Sequence, residues 1–203
     1  GRLADRNPSL HQLCQIVLAS SALLAVVPFL ASPFLKLTIN AFDNLSVGVF
    51  LGSLVGVMVL IAVPVLLLGM ISPYAVKLSP DGLGDAGRVT GRLYALGTVG
   101  SLAGTFAASL LLIPLVGSRR TFLLFALSLA VASVLGLSGR TKVLAGLVVA
   151  TLFILITLPT GTLKAEANGT VIWEAESDYQ YARVIERSDG ERRLELNEGQ
   201  AVH

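Results

Sequence analysis

Five apolar stretches, at residues 13–35, 46–70, 93–116, 122–137 and 143–158, decide what this chain can become. Crossing a hydrocarbon core of about 30 Å takes about 20 apolar residues in a helix, because lipid offers no partner to an unpaired backbone group. The last two stretches have about sixteen apolar residues each and must borrow from their flanks to reach across. Pro28 and Pro33 are expected to kink or end the first stretch, and Pro64 lies inside the second. Only 14% of the 203 residues are charged and mean hydropathy is +0.77, whereas a soluble domain carries roughly 25% charge. The expected fold is therefore mainly α, with about five membrane-spanning helices and the lipid bilayer as solvent.

The charges divide unevenly along the chain. Up to residue 165 there are 11 basic and 4 acidic residues, net +7, and from 166 onward 4 basic and 9 acidic, net −5. Residues 1–160 are expected to form a transmembrane helical domain, 161–170 a linker, and 171–203 a small water-facing β-domain. Around this linker, Pro159 to Gly169 replaces the apolar run with Pro, Gly, Thr and Asn. Lys77 to Arg92 reads as a loop. The N-terminal segment, that loop and Arg140 to Lys142 hold seven basic residues, and the opposite side holds four before the β-domain. The positive-inside rule then makes the N-terminal side cytoplasmic, and five crossings carry the β-domain to the other face.

Several chemistries are excluded or weakened. Cys14 is the sole cysteine, so neither an intramolecular disulfide nor a Cys-rich zinc site can form. Between Arg6 and Ala165 the only acids are Asp43, Asp81 and Asp85, all in expected loops, whereas ion-coupled transport needs an ionisable group inside the membrane. Gly48, Gly52 and Gly56, and likewise Gly97, Gly100 and Gly104, lie at helical spacing and are expected to allow close helix packing. A substrate path lined by glycine backbone is the alternative. His11 reads as an interfacial residue, and His203 has no Ser, Cys or carboxylate neighbour to make it catalytic.

The polar end has a β signature. Thr170 to Glu174 reads as a short first strand, Glu176 to Ile185 as a second, Ser188-Asp189-Gly190-Glu191 as a tight turn, and Arg192 to Leu196 as the returning strand. The return places Leu194 and Leu196 on one face, and Asn197-Glu198-Gly199 then breaks the run. The chain is expected to stop at Ala201-Val202-His203 without a closing element. Trp173 suits either the headgroup zone or the core of the β-domain. Glu174, Glu176 and Asp178, at period-two spacing, read as one solvated strand face, with electrostatic attraction of polyamines as the alternative.

Glu176-Ser177-Asp178-Tyr179-Gln180, then a strand and turn, then Leu194-Glu195-Leu196-Asn197-Glu198-Gly199-Gln200 resembles the N-terminal β-domain of spermidine synthases and related polyamine aminopropyltransferases. That family shows an acidic residue, a short gap, an aromatic-Gln pair and then Leu-x-Leu-Asp-Gly-x-x-Gln. Asn197 stands where the soluble enzymes carry Asp, and Glu198-Gly199 where they have Gly first. Gly69 to Leu78 and Gly91 to Ser101 resemble bacterial proteins in which a multispan segment is fused to a spermidine synthase-like domain. Gly1-Arg2-Leu3-Ala4-Asp5-Arg6 is similar to a loop inside that group, so residue 1 is expected to be an internal point, with two helices before it and a nucleotide-binding domain after His203.

The resemblance implies a multi-pass protein of the bacterial inner membrane that transfers an aminopropyl group from decarboxylated S-adenosylmethionine to a diamine or polyamine. Its catalytic Asp is expected beyond residue 203. The resemblance puts Gln180 beside the nucleoside, where an amide offers donor and acceptor together, and matches Gln200 to a second family glutamine. For both, a strand-surface or turn role is the alternative. Nothing points to nucleic acid, and a homo-oligomer fits the pattern. A transporter with a regulatory β-domain and a non-catalytic scaffold binding a nucleoside or polyamine are the competing functions. The co-substrate is cytoplasmic, so the charge count and the resemblance place the β-domain on opposite sides.

Overall fold

The computed structural model describes residues 8–42, 48–78, 86–158, 169–176, 181–196 and 200–202. Helices α1 (Leu10–Phe42), α2 (Gly48–Gly69), α3 (Ile71–Leu78), α4 (Ala86–Phe106), α5 (Ile113–Val134) and α6 (Gly139–Thr157) precede four strands, β1 (Gly169–Glu176), β2 (Tyr181–Arg187), β3 (Arg192–Leu196) and β4 (Gln200–Val202). A π-helical turn, Ala107–Leu112, joins α4 to α5. Four helical runs, Leu10–Ala31, Phe50–Leu78, Gly87–Val134 and Gly139–Thr157, are long and apolar enough to cross a bilayer. The chain is a membrane protein by these spans.

Two departures from the expected spans have clear causes. Helix α1 runs through Pro28 and Pro33 to Phe42, so neither proline ends it. Each removes one backbone donor, and in an apolar sequence the remaining helical bonds are the only partners available. The Gly87–Val134 run has 48 residues, about 72 Å at 1.5 Å per residue and more than twice the hydrocarbon thickness. It is interrupted at Gly117, whose φ of 82° and ψ of 162° are not helical, and this break falls where the third and fourth apolar stretches meet in the sequence. Pro114 cannot donate to the preceding turn, which accounts for the π-helical register just before it.

The chain forms two units, one of Gly1–Val99 with Phe122–Leu155, the other of Gly100–Thr121 with Ile156–His203. In the first, α1 packs on α2, and α3 packs on both. Small side chains bring α1 close to α5. Ser20, Ser21, Ala126, Ala130 and Ser133 are fully buried with Leu123, and the Ser21 hydroxyl donates to the Ala126 carbonyl at 2.7 Å. Ser9 caps α1 by accepting from the Gln12 N–H at 3.2 Å. Tyr74, 3% exposed, ties α3 to that cap, its hydroxyl accepting from the Ser9 N–H at 3.2 Å and donating to Gln12 Oε1 at 2.6 Å. Residues read as loop around Lys77 and Arg88 are thus helical, at the end of α3 and the start of α4.

The glycine patterns part company. Gly52 and Gly56 are buried, in keeping with close packing. A Cβ added at Gly97, Gly100 or Gly104 would meet nothing within 4 Å, so the expected close packing of that stripe is not formed by the described residues.

In the second unit the strands form an antiparallel meander, β1-β2-β3-β4. The expected second strand is corrected: Glu176 closes β1, and β2 begins at Tyr181 and extends to Arg187. The expected unclosed end is corrected too, because β4 pairs with β3 through Leu194↔Val202, Glu195↔Ala201 and Leu196↔Gln200. The Ser188–Glu191 turn forms as expected. The Gly190 N–H donates to the Arg187 carbonyl at 2.9 Å, the Arg187 N–H to the Glu191 carbonyl at 2.9 Å, and Gly190 takes φ 84°. Asp189 supports it by accepting from the Glu191 N–H at 2.9 Å.

Candidate functional site in the β-sheet

Directly paired residues of an antiparallel sheet share a face, so the register sorts the side chains. One face carries the row Glu174, Arg183, Glu195 and Ala201, flanked by the row Val171, Ile185 and Arg193. The other carries the row Trp173, Val184, Leu194 and Val202, flanked by Ala175, Ala182, Leu196 and Gln200. The register shift between Val171 and Trp173 makes this possible. Were Ile172 paired in unshifted register, Trp173 would fall opposite Arg183; because Ile172 is left out of the pairing, Glu174 does, and Trp173 moves to the apolar face.

The charged face is the covered one. Arg183 is 8% exposed and Ile185 3%, whereas Trp173 is 52% and Leu194 40% exposed. Arg183 grips Glu195 Oε2 from Nε at 3.0 Å and from Nη2 at 2.7 Å, and the Tyr181 hydroxyl donates to Glu174 Oε2 at 2.8 Å. Low dielectric strengthens such bonds and raises the cost of breaking them. The expectation that Glu174 belongs to a solvated strand face is therefore corrected: it is half-buried, on the Arg183 face, and engaged by Tyr181. Glu186 and Arg192, paired at 3.2 Å, close the apolar face along one edge.

Of the two glutamines expected to bind a nucleoside, Gln180 lies outside the described residues, as do Asp178, Tyr179 and His203. Gln200 opens β4 and takes its place in the row with Leu196, Ala182 and Ala175. Its register position is thus on the apolar face, away from the Arg183–Glu195 pair. Sequence reasoning missed that pair, although both residues lie six positions from Asp189 and a turn centred there brings them opposite.

The helical part offers less chemistry. His11 Nε2 lies 3.2 Å from Gln15 Nε2 and 3.4 Å from Thr141 Oγ1, an interhelical polar contact at the start of α1 and α6. A groove of about 490 Å³ lies between α1 and α6, apolar except for Thr151 and lined by Ala25, Phe29, Leu147 and Leu155 among others. No Asp or Glu occurs among the described residues of α1 to α6, and no cluster of three His, Cys, Asp or Glu that could hold a metal occurs among the described residues. Arg120 Nη2 donates to the Leu158 carbonyl at 3.4 Å, at the end of the last apolar helix.

The fold defines a multi-span membrane protein carrying a small antiparallel sheet with one charged, covered face and one apolar, open face. Comparison with protein-family models, with curated proteins and with solved structures finds no match to this chain.

Proposed function

We propose that this chain is the membrane part of a spermidine synthase-like aminopropyltransferase of the bacterial inner membrane, the Gly87–Val134 run crossing twice about Gly117 to give five spans. The observation that carries the reading is the order of motif and strand. Leu194-Glu195-Leu196 lies within β3, three residues follow, and Gln200 opens β4 in register with Leu196. Two paired strands joined by three residues allow a Leu-x-Leu motif and a following glutamine to stand side by side, which supports the reading. In this reading Gln180 contacts the nucleoside of decarboxylated S-adenosylmethionine and Gln200 keeps its strand-surface role, a diamine or polyamine is the acceptor, and the transfer residue is supplied by polypeptide beyond residue 203.

The neutral amine attacks the aminopropyl carbon beside the sulfonium. A C–N bond forms as the C–S bond breaks, methylthioadenosine leaves with the electron pair, and the amine loses one proton. The test uses the complete natural polypeptide in nanodiscs with decarboxylated S-adenosylmethionine and putrescine, read by mass spectrometry. Equimolar spermidine and methylthioadenosine are expected, with Gln180→Ala raising the KM for the nucleoside by about tenfold, the loss of one hydrogen bond to a charged ligand. Absence of both products sinks the proposal, and putrescine uptake into proteoliposomes without product would assign the chain to transport.

A further inference from the structure

We propose that the open face of the sheet docks on the headgroup region of the bilayer that the helices cross, with Trp173 as its anchor. An antiparallel sheet with one wet face normally turns its polar residues to water and its apolar ones to the core. Here the order is reversed: Arg183 and Ile185 are covered, while Ile172, Trp173 and Leu194 are 44%, 52% and 40% exposed. Half-buried Val184 lies between Trp173 and Leu194 in the same row, so the apolar groups run on across three strands. A continuous apolar patch of this kind marks a surface that something covers.

Three observations select the membrane as the cover. First, Gly169 opens β1 only twelve residues after Thr157, where the last apolar helix ends. Even fully extended, that connection spans about 40 Å, so the sheet is held beside lipid at high effective concentration and needs no free partner. Second, the face offers what the interface accepts: the sole tryptophan of the chain, with its amphipathic ring, surrounded by aliphatic side chains. Third, the edge charges on this face among the described residues, Glu186 and Arg192, pair with each other at 3.2 Å, which lowers the cost of bringing them to the headgroups. The bulge at Ile172 is what turns Trp173 outward, and it thereby gives the sheet its membrane-facing side.

Because Trp173 is the only tryptophan, its fluorescence reports this face alone. The 203-residue chain is placed in nanodiscs holding one copy each, made with phosphatidylcholine and phosphatidylglycerol or with their acyl-brominated forms. Blue-shifted emission, about twofold quenching by the brominated lipids and weak quenching by aqueous iodide are expected for a ring at the headgroup level. The double variant Trp173→Phe/Leu194→Trp moves the reporter along the row and is expected to behave alike. Strong iodide quenching without bromolipid quenching overturns the proposal. So does shielding from both quenchers, which would mean that protein covers the face, and so does shielding seen only when several copies share one membrane.

Discussion

Arg183 and Glu195 face each other across β2 and β3, Nη2 to Oε2 at 2.7 Å, with only 10% and 13% of their side chains exposed. Removing one partner strands a charge where water cannot reach it, which is costlier than removing both. Arg183→Met alone is expected to destabilise the sheet by about 3 kcal/mol, and Arg183→Met/Glu195→Leu to recover most of that loss. Urea unfolding followed through Trp173 emission gives both values. Equal losses for the single and the double variant would show that the pair contributes through packing of the Arg183 stem.

The turn fixes which residues meet. Gly190 at φ 84° occupies a conformation that costs a residue with a Cβ about 1–2 kcal/mol. Gly190→Ala is expected to lower sheet stability by that amount, whereas Gly190→Asn is tolerated better because its side chain can bond locally. Asp189→Ala removes the acceptor for the Glu191 N–H and is expected to lose about 1 kcal/mol. Urea midpoints of the three variants, compared with the parent chain, test the order. An unchanged midpoint for Gly190→Ala would exclude the left-handed turn.

How much of this was legible follows from where the sequence has a phase. Asp189-Gly190 announces a turn, and from it the Arg183↔Glu195 and Val184↔Leu194 pairings follow by counting outward. Val171-Ile172-Trp173 is apolar at every position, so alternation could not reveal that Ile172 is the extra residue or which face Trp173 takes. The apolar runs announce the spans by length alone. The reach of α1 past Pro33 was hidden because proline is a strong local signal that an apolar surrounding overrides. Helix α3, eight residues with Pro73 in its first turn, is too short for its periodicity to show. Gln200 was placed by the motif, and the structure adds its row but no contact.

Tyr74 links α3 to the start of α1 through one hydroxyl that both accepts and donates. Tyr74→Phe keeps the ring and removes both bonds, leaving the Ser9 N–H without that acceptor. A loss of about 1–2 kcal/mol in detergent-solubilised protein is expected, measured by thermal unfolding followed by circular dichroism. Gln12→Ala removes only the acceptor of the Tyr74 hydroxyl and is expected to cost less. If Tyr74→Phe is neutral, burial of the ring alone holds α3 in place.

Two glycines separate packing from spacing. A Cβ at Gly136 would sit 2.5 Å from Cys14 Sγ and 2.9 Å from Leu10 Cγ, so those side chains, or the start of α1 that carries them, must shift to admit it. Overpacking of this kind destabilises by about 1–3 kcal/mol, and Gly136→Ala is expected to show it. Cys14→Ala in the same chain withdraws the nearer atom and is expected to restore part of the loss. Gly97 lies in the glycine stripe of α4, yet a Cβ there meets nothing within 4 Å. Gly97→Ala is therefore expected to be neutral or to stabilise by up to about 1 kcal/mol through helix propensity. Thermal unfolding of both variants in single-copy nanodiscs decides the matter, since a loss at Gly97 would mean that another helix occupies the space beside it.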